Sequence, residues 1–223
     1  MILTPSEFET QYRAGQLKIA FVGMSNIGKS YTAKRLSQSH DFDLVEIDRL
    51  IWKELEQGSM ADFALWQGQP YTQGYDAREA VSIELETKAM TAAMTQVNTS
   101  QAEKSANANV ILDTTGSVIY IGGNALKRLK DEYLIVHIAA AAQDLERLKR
   151  DYFALPKPLV WRGHYRPKDG LTEKESILAC YPDLLQSRKQ AYEGLADITL
   201  QSGFVLDPSI TMDAVFQAIK REA

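Results

Sequence analysis

Residues 17–36 read LKIAFVGMSNIGKSYTAKRL, and their order decides the fold. Leu17–Val22 is an apolar, branched run ending at Gly23, the pattern of a strand buried on both faces. Gly23-Met24-Ser25-Asn26-Ile27-Gly28-Lys29-Ser30 then satisfies G-x-x-x-x-G-K-[ST] in full. At average residue usage, such a match arises by chance in about one chain in a hundred of this length. From about Gly28 to Ser39 the sequence predicts a helix. The glycines let backbone N–H groups turn inward around a phosphate, and the helix N-terminus adds positive potential. Lys29 is placed to reach the β- and γ-phosphates, and Ser30 to ligate Mg²⁺. Gly23, Ser25, Asn26, Ile27, Gly28, Lys29, Ser30 and Tyr31 are therefore the candidate nucleotide contacts. The motif points to a nucleoside triphosphate. By itself it does not separate kinase, switch GTPase and mechanical ATPase.

Working outward, Thr4-Pro5-Ser6-Glu7 reads as a helix start, with Thr4 as N-cap and Glu7 closing a capping box. Phe42–Ile47 is a second strand, Val110–Asp113 a third, Tyr133–Ala139 a fourth and Asp197–Gln201 a fifth. Ala77–Val97 is rich in helix formers and predicts a long helix, followed by a polar surface loop over Asn98–Asn109. Asn124–Lys130 and Gln143–Tyr152 are helical, the latter with Leu145, Leu148 and Tyr152 on one face. Gly58–Gly74 is aromatic and predicts an irregular or short-helical excursion. Pro156, Pro158 and Pro167 mark a loop rich in basic and aromatic residues. Glu173–Leu195 is helical, interrupted near Pro182, and Ile210–Arg221 closes the chain as an amphipathic helix. Strands alternating with helices imply a parallel sheet covered on both faces. No linker divides the chain, so residues 1–223 form one domain.

Composition narrows the function. The chain has 223 residues, 45% hydrophobic and 24% charged, which fits a folded globular protein and excludes a disordered or fibrous one. The longest apolar run, 134–142, contains His137 and is too short to span a bilayer. The first residues lack the basic and apolar stretches of a secretory signal, and with no run long enough to span a bilayer no membrane partner is expected. A single cysteine, Cys180, excludes an intramolecular disulfide and a cysteine-rich zinc site, and fits a reducing cytoplasm. A net charge of −4 argues against a nucleic-acid partner.

Four features beyond the loop carry chemistry. Glu46 and Asp48 close the second strand two residues apart, so a continuing strand places both carboxylates on one face. One can serve Mg²⁺ while the other orients a hydroxyl; an ordinary solvated strand end is the alternative. Asp113 ends the third strand and is a second Mg²⁺-side candidate, or a capping residue. Arg188 lies in an otherwise apolar row with Leu184, Tyr192 and Leu195. An inward arginine needs an anionic partner, unless it snorkels to the edge of the core. Arg150, Lys157, Arg162, His164, Arg166 and Lys168 surround the proline-rich loop. They suit closure over a triphosphate, or form a merely solvated basic loop. His40 and His137 read as surface and core filler.

Taken together, these residues resemble shikimate kinase and its close small-molecule kinase relatives, over nearly the whole chain after the first fifteen residues. LVEIDRLI falls where that family carries D-x-D, with Glu46 for the first Asp and Asp48 matching the second. GYDAREAV resembles G-F-R-x-x-E. VHIAAAAQDLERLKR and KPLV resemble the fourth strand, its helix and the lid. YPDLLQSRKQAYEGLADITL is similar to the family's L-x-x-x-R-x-P-x-Y-x-x-x-A-D, with Arg188 on its substrate-binding Arg. The resemblance implies a three-layer α/β P-loop NTPase fold with five parallel strands in the order 2-3-1-4-5. It also implies a lid at about 151–175 whose basic positions are Arg150 and Lys157. Three departures stand out. Asp76 replaces the Arg after G-F, with Arg78 two places on. Thr114-Thr115-Gly116 replaces a triple glycine, and Lys157 replaces an Arg.

The reading is an ATP- and Mg²⁺-dependent kinase acting on a hydroxyl of a small, anionic metabolite, as monomer or dimer. Lys29, Asp48, Arg150 and Lys157 are its catalytic candidates. Ser30, Glu46 and Asp113 are its metal-side candidates. Asp48, Arg78, Gly116 and Arg188 are its acceptor contacts, and the departures make shikimate a poor acceptor. The alternatives are a nucleotide-binding regulatory module without phosphotransfer and a nucleotide kinase.

Overall fold

The computed structural model describes residues 2–55, 59–103, 109–141, 144–154 and 157–223. Gly58, the centre of the expected 98–109 loop and Pro156 lie outside the described residues. The strands are β1 (Lys18–Val22), β2 (Phe42–Glu46), β3 (Asn109–Asp113), β4 (Leu134–Ala139) and β5 (Ile198–Gln201). All pairings are parallel, in the order β2-β3-β1-β4-β5, as the resemblance implied. Every residue of β3 and β4 is buried, whichever way its side chain points. Both faces of the central sheet are therefore covered, which parallel crossovers require.

Ten helices join the strands among the described residues: α1 (Pro5–Arg13), α2 (Lys29–Ser39), α3 (Ile47–Leu55), α4 (Met60–Gln67), α5 (Tyr75–Glu103), α6 (Gly123–Glu132), α7 (Asp144–Ala154), α8 (Glu173–Leu195), α9 (Ser202–Val205) and α10 (Met212–Glu222). The expected capping box opens α1: Thr4 Oγ1 accepts from Glu7 N–H, and Glu7 Oε2 accepts from Thr4 N–H at 2.8 Å. None of the helices is long and apolar enough to cross a membrane.

Four local expectations need correction. β2 stops at Glu46, and Asp48 sits in the first turn of α3, so the two carboxylates do not share a strand face. The cause is the burial of Ile47 and Ile51, a helical i, i+4 pair. α5 runs past Val97 into the segment expected as loop. Thr91, Thr95 and Thr99 bond back to carbonyls four residues earlier, and Asn98 pairs with both Lys18 and Glu132. Tertiary anchoring thus overrides the loop-like composition. α8 is continuous through Pro182, because buried Tyr181, Leu184 and Leu185 hold both turns against the core. Leu145 is 43% exposed, whereas Leu148 is buried.

Candidate active site

The loop between β1 and α2 is built as its motif requires. Gly28 is the N-cap of α2 in the left-handed region (φ 111°), and a Cβ there would come within 2.8 Å of Leu206. Lys29 is 6% exposed, and its Nζ donates to the carbonyls of Gly23 and Met24 at 2.9 and 3.0 Å. Burial pulls its pKa down, while the carboxylates of Asp113 and Asp48 act to hold the charge. Ile27 turns into the core. Arg147 of α7 donates to the Asn26 carbonyl at 2.9 Å and is itself held by Asp144 at 2.9 Å. The cation that reaches the loop from α7 is thus Arg147, and Arg150 is exposed.

Asp113 lies beside Phe21 of β1 and Glu46 of β2 in the sheet register. It is buried and accepts a hydrogen bond from Ser30, but its Oδ1 has no partner among the described residues. Burial raises its pKa, against Lys29 and Ser30. A hydroxyl and a buried carboxylate with a spare oxygen are the hard donors that Mg²⁺ takes. Among the described residues no cluster of three acidic, His or Cys side chains could hold a metal unaided. The phosphates of a nucleotide would have to complete the shell. Glu46 pairs with Arg49 at 3.0 Å and stays outside the cleft.

The cleft itself measures about 380 Å³. Ser25, Asn26, Gly28, Lys29, Ser30 and Tyr31 form one end, and Asp48 and Lys157 flank it. Thr115, Gly116, Ser117, Glu86 and Arg188 form another part of its wall, with Ile51, Met60 and Phe63 as an apolar side. Burial raises the pKa of Asp48, while Lys29 and Lys157 oppose the shift. Gly116 is a close approach: a Cβ there would meet Ser25 Oγ at 2.6 Å. That glycine locks the 114–117 turn against the phosphate loop.

Arg188 is 2% exposed and donates to the carbonyls of Gly116 and Val160 at 3.0 and 2.7 Å. Its guanidinium lies 5.4 Å from the Tyr120 ring, and Tyr192 also bonds the Gly116 carbonyl. No ion pair joins it to an acid among the described residues, and its Nε has no hydrogen-bond partner. It lines the cleft rather than snorkelling out of the core.

Arg78 stands elsewhere. It donates to Gln67 O, Gln73 O and Thr72 Oγ1 at 3.0–3.1 Å, bracing the turn that joins α4 to α5. Asp76 is exposed in the first turn of α5, so it neither clamps nor repels a ligand in the cleft. The inward residues of that turn are Tyr75 and Glu79. Glu79 accepts from Tyr75 Oη and from the backbone N–H of Trp161 and Arg162. Tyr75 and Gln67 both donate to the Leu159 carbonyl. The chain just past Lys157 is thereby pinned beside the cleft. His137 is buried and its pKa is pushed down to about 4 by burial, so it is neutral filler behind the phosphate loop.

Glu86 and Gln67 line the cleft, and Glu79 and Arg147 hold the backbone beside it; none of the four is among the residues expected from sequence. A signal for two of them exists. Glu79, Ser82, Glu86, Ala89, Ala93 and Val97 form one buried row of α5, and its first three members are polar.

Solved structures share this architecture. Shikimate kinase from Bacteroides thetaiotaomicron superposes with a TM-score of 0.51 at 12% identity, covering 92% of this chain and 95% of that one. Shikimate kinase from Aquifex aeolicus gives 0.51 at 20% identity, with 92% of each chain covered. Shikimate kinase from Acinetobacter baumannii, solved with shikimate bound, gives 0.50 at 16% identity over the same shares. No family model and no curated protein matches the chain. The fold is that of a P-loop α/β protein, and in fold the chain resembles the shikimate kinases.

Proposed function

We propose that the chain is an ATP- and Mg²⁺-dependent phosphotransferase acting on a hydroxyl of a small metabolite. One observation carries the reading: Lys29, Ser30 and the Asp48 carboxylate converge on the cleft that Arg188 also lines. The phosphate loop and the N-terminus of α2 bind the triphosphate. Ser30 and Asp113, together with phosphate oxygens, would hold Mg²⁺, which when bound would supply charge neutralisation. Lys29 leaves the loop carbonyls for the γ-phosphate, and Lys157 adds a second cation to the transferring group. Asp48, its basicity raised by burial, orients the acceptor hydroxyl and takes its proton as the new O–P bond forms, while the bond from the γ-phosphorus to the β–γ bridging oxygen breaks and ADP leaves. Arg188 receives an anionic group of the acceptor, and in-line positioning carries much of the rate.

The test is a screen of hydroxylated acids, sugars and nucleotides for ADP release with Mg-ATP. Acceptor-dependent ADP supports the reading. ATP binding without ADP release from any acceptor would make this a nucleotide-binding module instead. A nucleotide acceptor would make it a nucleotide kinase. Shikimate, in the same screen, is expected below about 10⁴ M⁻¹s⁻¹ in kcat/KM.

A further inference from the structure

Glu86 is a buried acid that the proposed mechanism does not use. It is 3% exposed, and it lines the cleft from the middle of α5. Thr115 Oγ1 donates to Oε1, and Ser117 Oγ donates to Oε2 at 2.5 Å. Thr115 Oγ1 already accepts from Ser117 N–H at 3.0 Å, which directs its own proton at the acid. Both carboxylate oxygens are therefore organised as acceptors. Among the described residues, no cation forms an ion pair with Glu86. The charged groups facing it are Asp48 from α3 and Arg188 from α8. A buried carboxylate without a cation keeps a proton or takes a cationic ligand.

Its neighbours narrow the ligand. The 115–117 turn ties together two opposite charges: Arg188 through the Gly116 carbonyl, and Glu86 through the hydroxyls on either side. A purely anionic acceptor would satisfy Arg188 but face Asp48 and Glu86. A zwitterion satisfies both signs.

Building on the phosphotransfer reading, we infer that Glu86 determines acceptor specificity by receiving a protonated amine, so that the acceptor is a small hydroxylated amine with an acidic group for Arg188. Free Glu86 titrates at about 7, because burial and Asp48 oppose its ionisation. An ammonium group favours the ionised form. Binding near pH 7 should then release about half a proton, and affinity should rise between pH 6 and 7.5.

The experiment uses acceptor pairs that differ only in the amine: L-homoserine against 4-hydroxybutanoate, and L-serine against 3-hydroxypropanoate. ADP release is measured with Mg-ATP on the unaltered chain and on Glu86→Gln, which keeps the side-chain shape. Binding of each compound is measured by calorimetry in two buffers of different ionisation enthalpy, with Mg²⁺ and a non-hydrolysable ATP analogue present. At least one amine should exceed its partner tenfold or more in kcat/KM. Glu86→Gln should remove that preference and the proton release while leaving the KM for ATP unchanged. Equal use of both members, preference for the amine-free member, or a preference that survives Glu86→Gln overturns the inference and leaves phosphotransfer standing. If no compound releases ADP, the phosphotransfer reading loses support and calorimetry decides the inference alone. Proton-linked amine binding lost in Glu86→Gln upholds it; no amine binding rejects it.

Discussion

The two ends of the cleft are built by different means. The end proposed for the nucleotide is local: residues 23–31 are contiguous, and the strand and helix that shape them adjoin in sequence. The end proposed for the acceptor is assembled at long range. Glu86 of α5, the 115–117 turn, Val160 and Arg188 of α8 meet through bonds spanning 28 to 76 residues. A local site is tied to its own backbone geometry. A long-range site can change chemistry one side chain at a time on the same scaffold, and here its polar wall is set by Thr115 and Ser117 bonding Glu86.

That contrast predicts different failures. Lys29→Ala should lower turnover about a thousandfold or more while the chain still folds, because Gly23 and Gly28 still set the turn of the loop. Near-normal turnover in that variant would contradict the assignment of residues 23–31 to the triphosphate. Arg188→Met should act on the other end. Losing a charged contact worth about 1.5–3 kcal/mol should raise the acceptor KM about ten- to a hundredfold, with the KM for ATP unchanged. A rise in both would mean that the ends are not separable.

Glu86 makes the long-range end of the cleft sensitive to pH. Its folded pKa is about 7 against 4.5 for the ordinary group. The folded state therefore binds the proton more tightly than the unfolded chain. This group leaves stability untouched below about pH 4.5 and costs progressively more as pH rises to 7. The full cost is up to about 3 kcal/mol. Glu86→Gln should lose less stability than the unaltered chain between pH 5 and 8, a gap of several degrees in Tm. Parallel Tm profiles would contradict the buried-acid description.

The same contrast explains what the sequence discloses. The phosphate loop, the strand order and Asp113 at the end of β3 follow from one motif, its resemblance and strand–helix alternation. Arg188 is visible because a charge interrupts an apolar row of α8. Glu86 interrupts the buried row of α5 in the same way, but Glu79 and Ser82 precede it, so that end of the row looks like a solvated face. Arg150 and Arg147 lie one helical turn apart, and only packing of α7 on Asn26 decides which meets the loop. Asp76 and Arg78 cannot be placed by a family pattern either. The orientation of the first turn of α5 is fixed by Tyr75 and Glu79 holding residues 159–162.

Whether one cleft brings a bound triphosphate to an acceptor hydroxyl is decided by Asp48→Asn. The amide keeps the size of the side chain and removes its basicity. With an acceptor that supports ADP release, the variant should bind ATP within a few-fold of the unaltered chain and form no phosphorylated product. Retained turnover with weakened ATP binding would contradict the account and make Asp48 a residue of the nucleotide end.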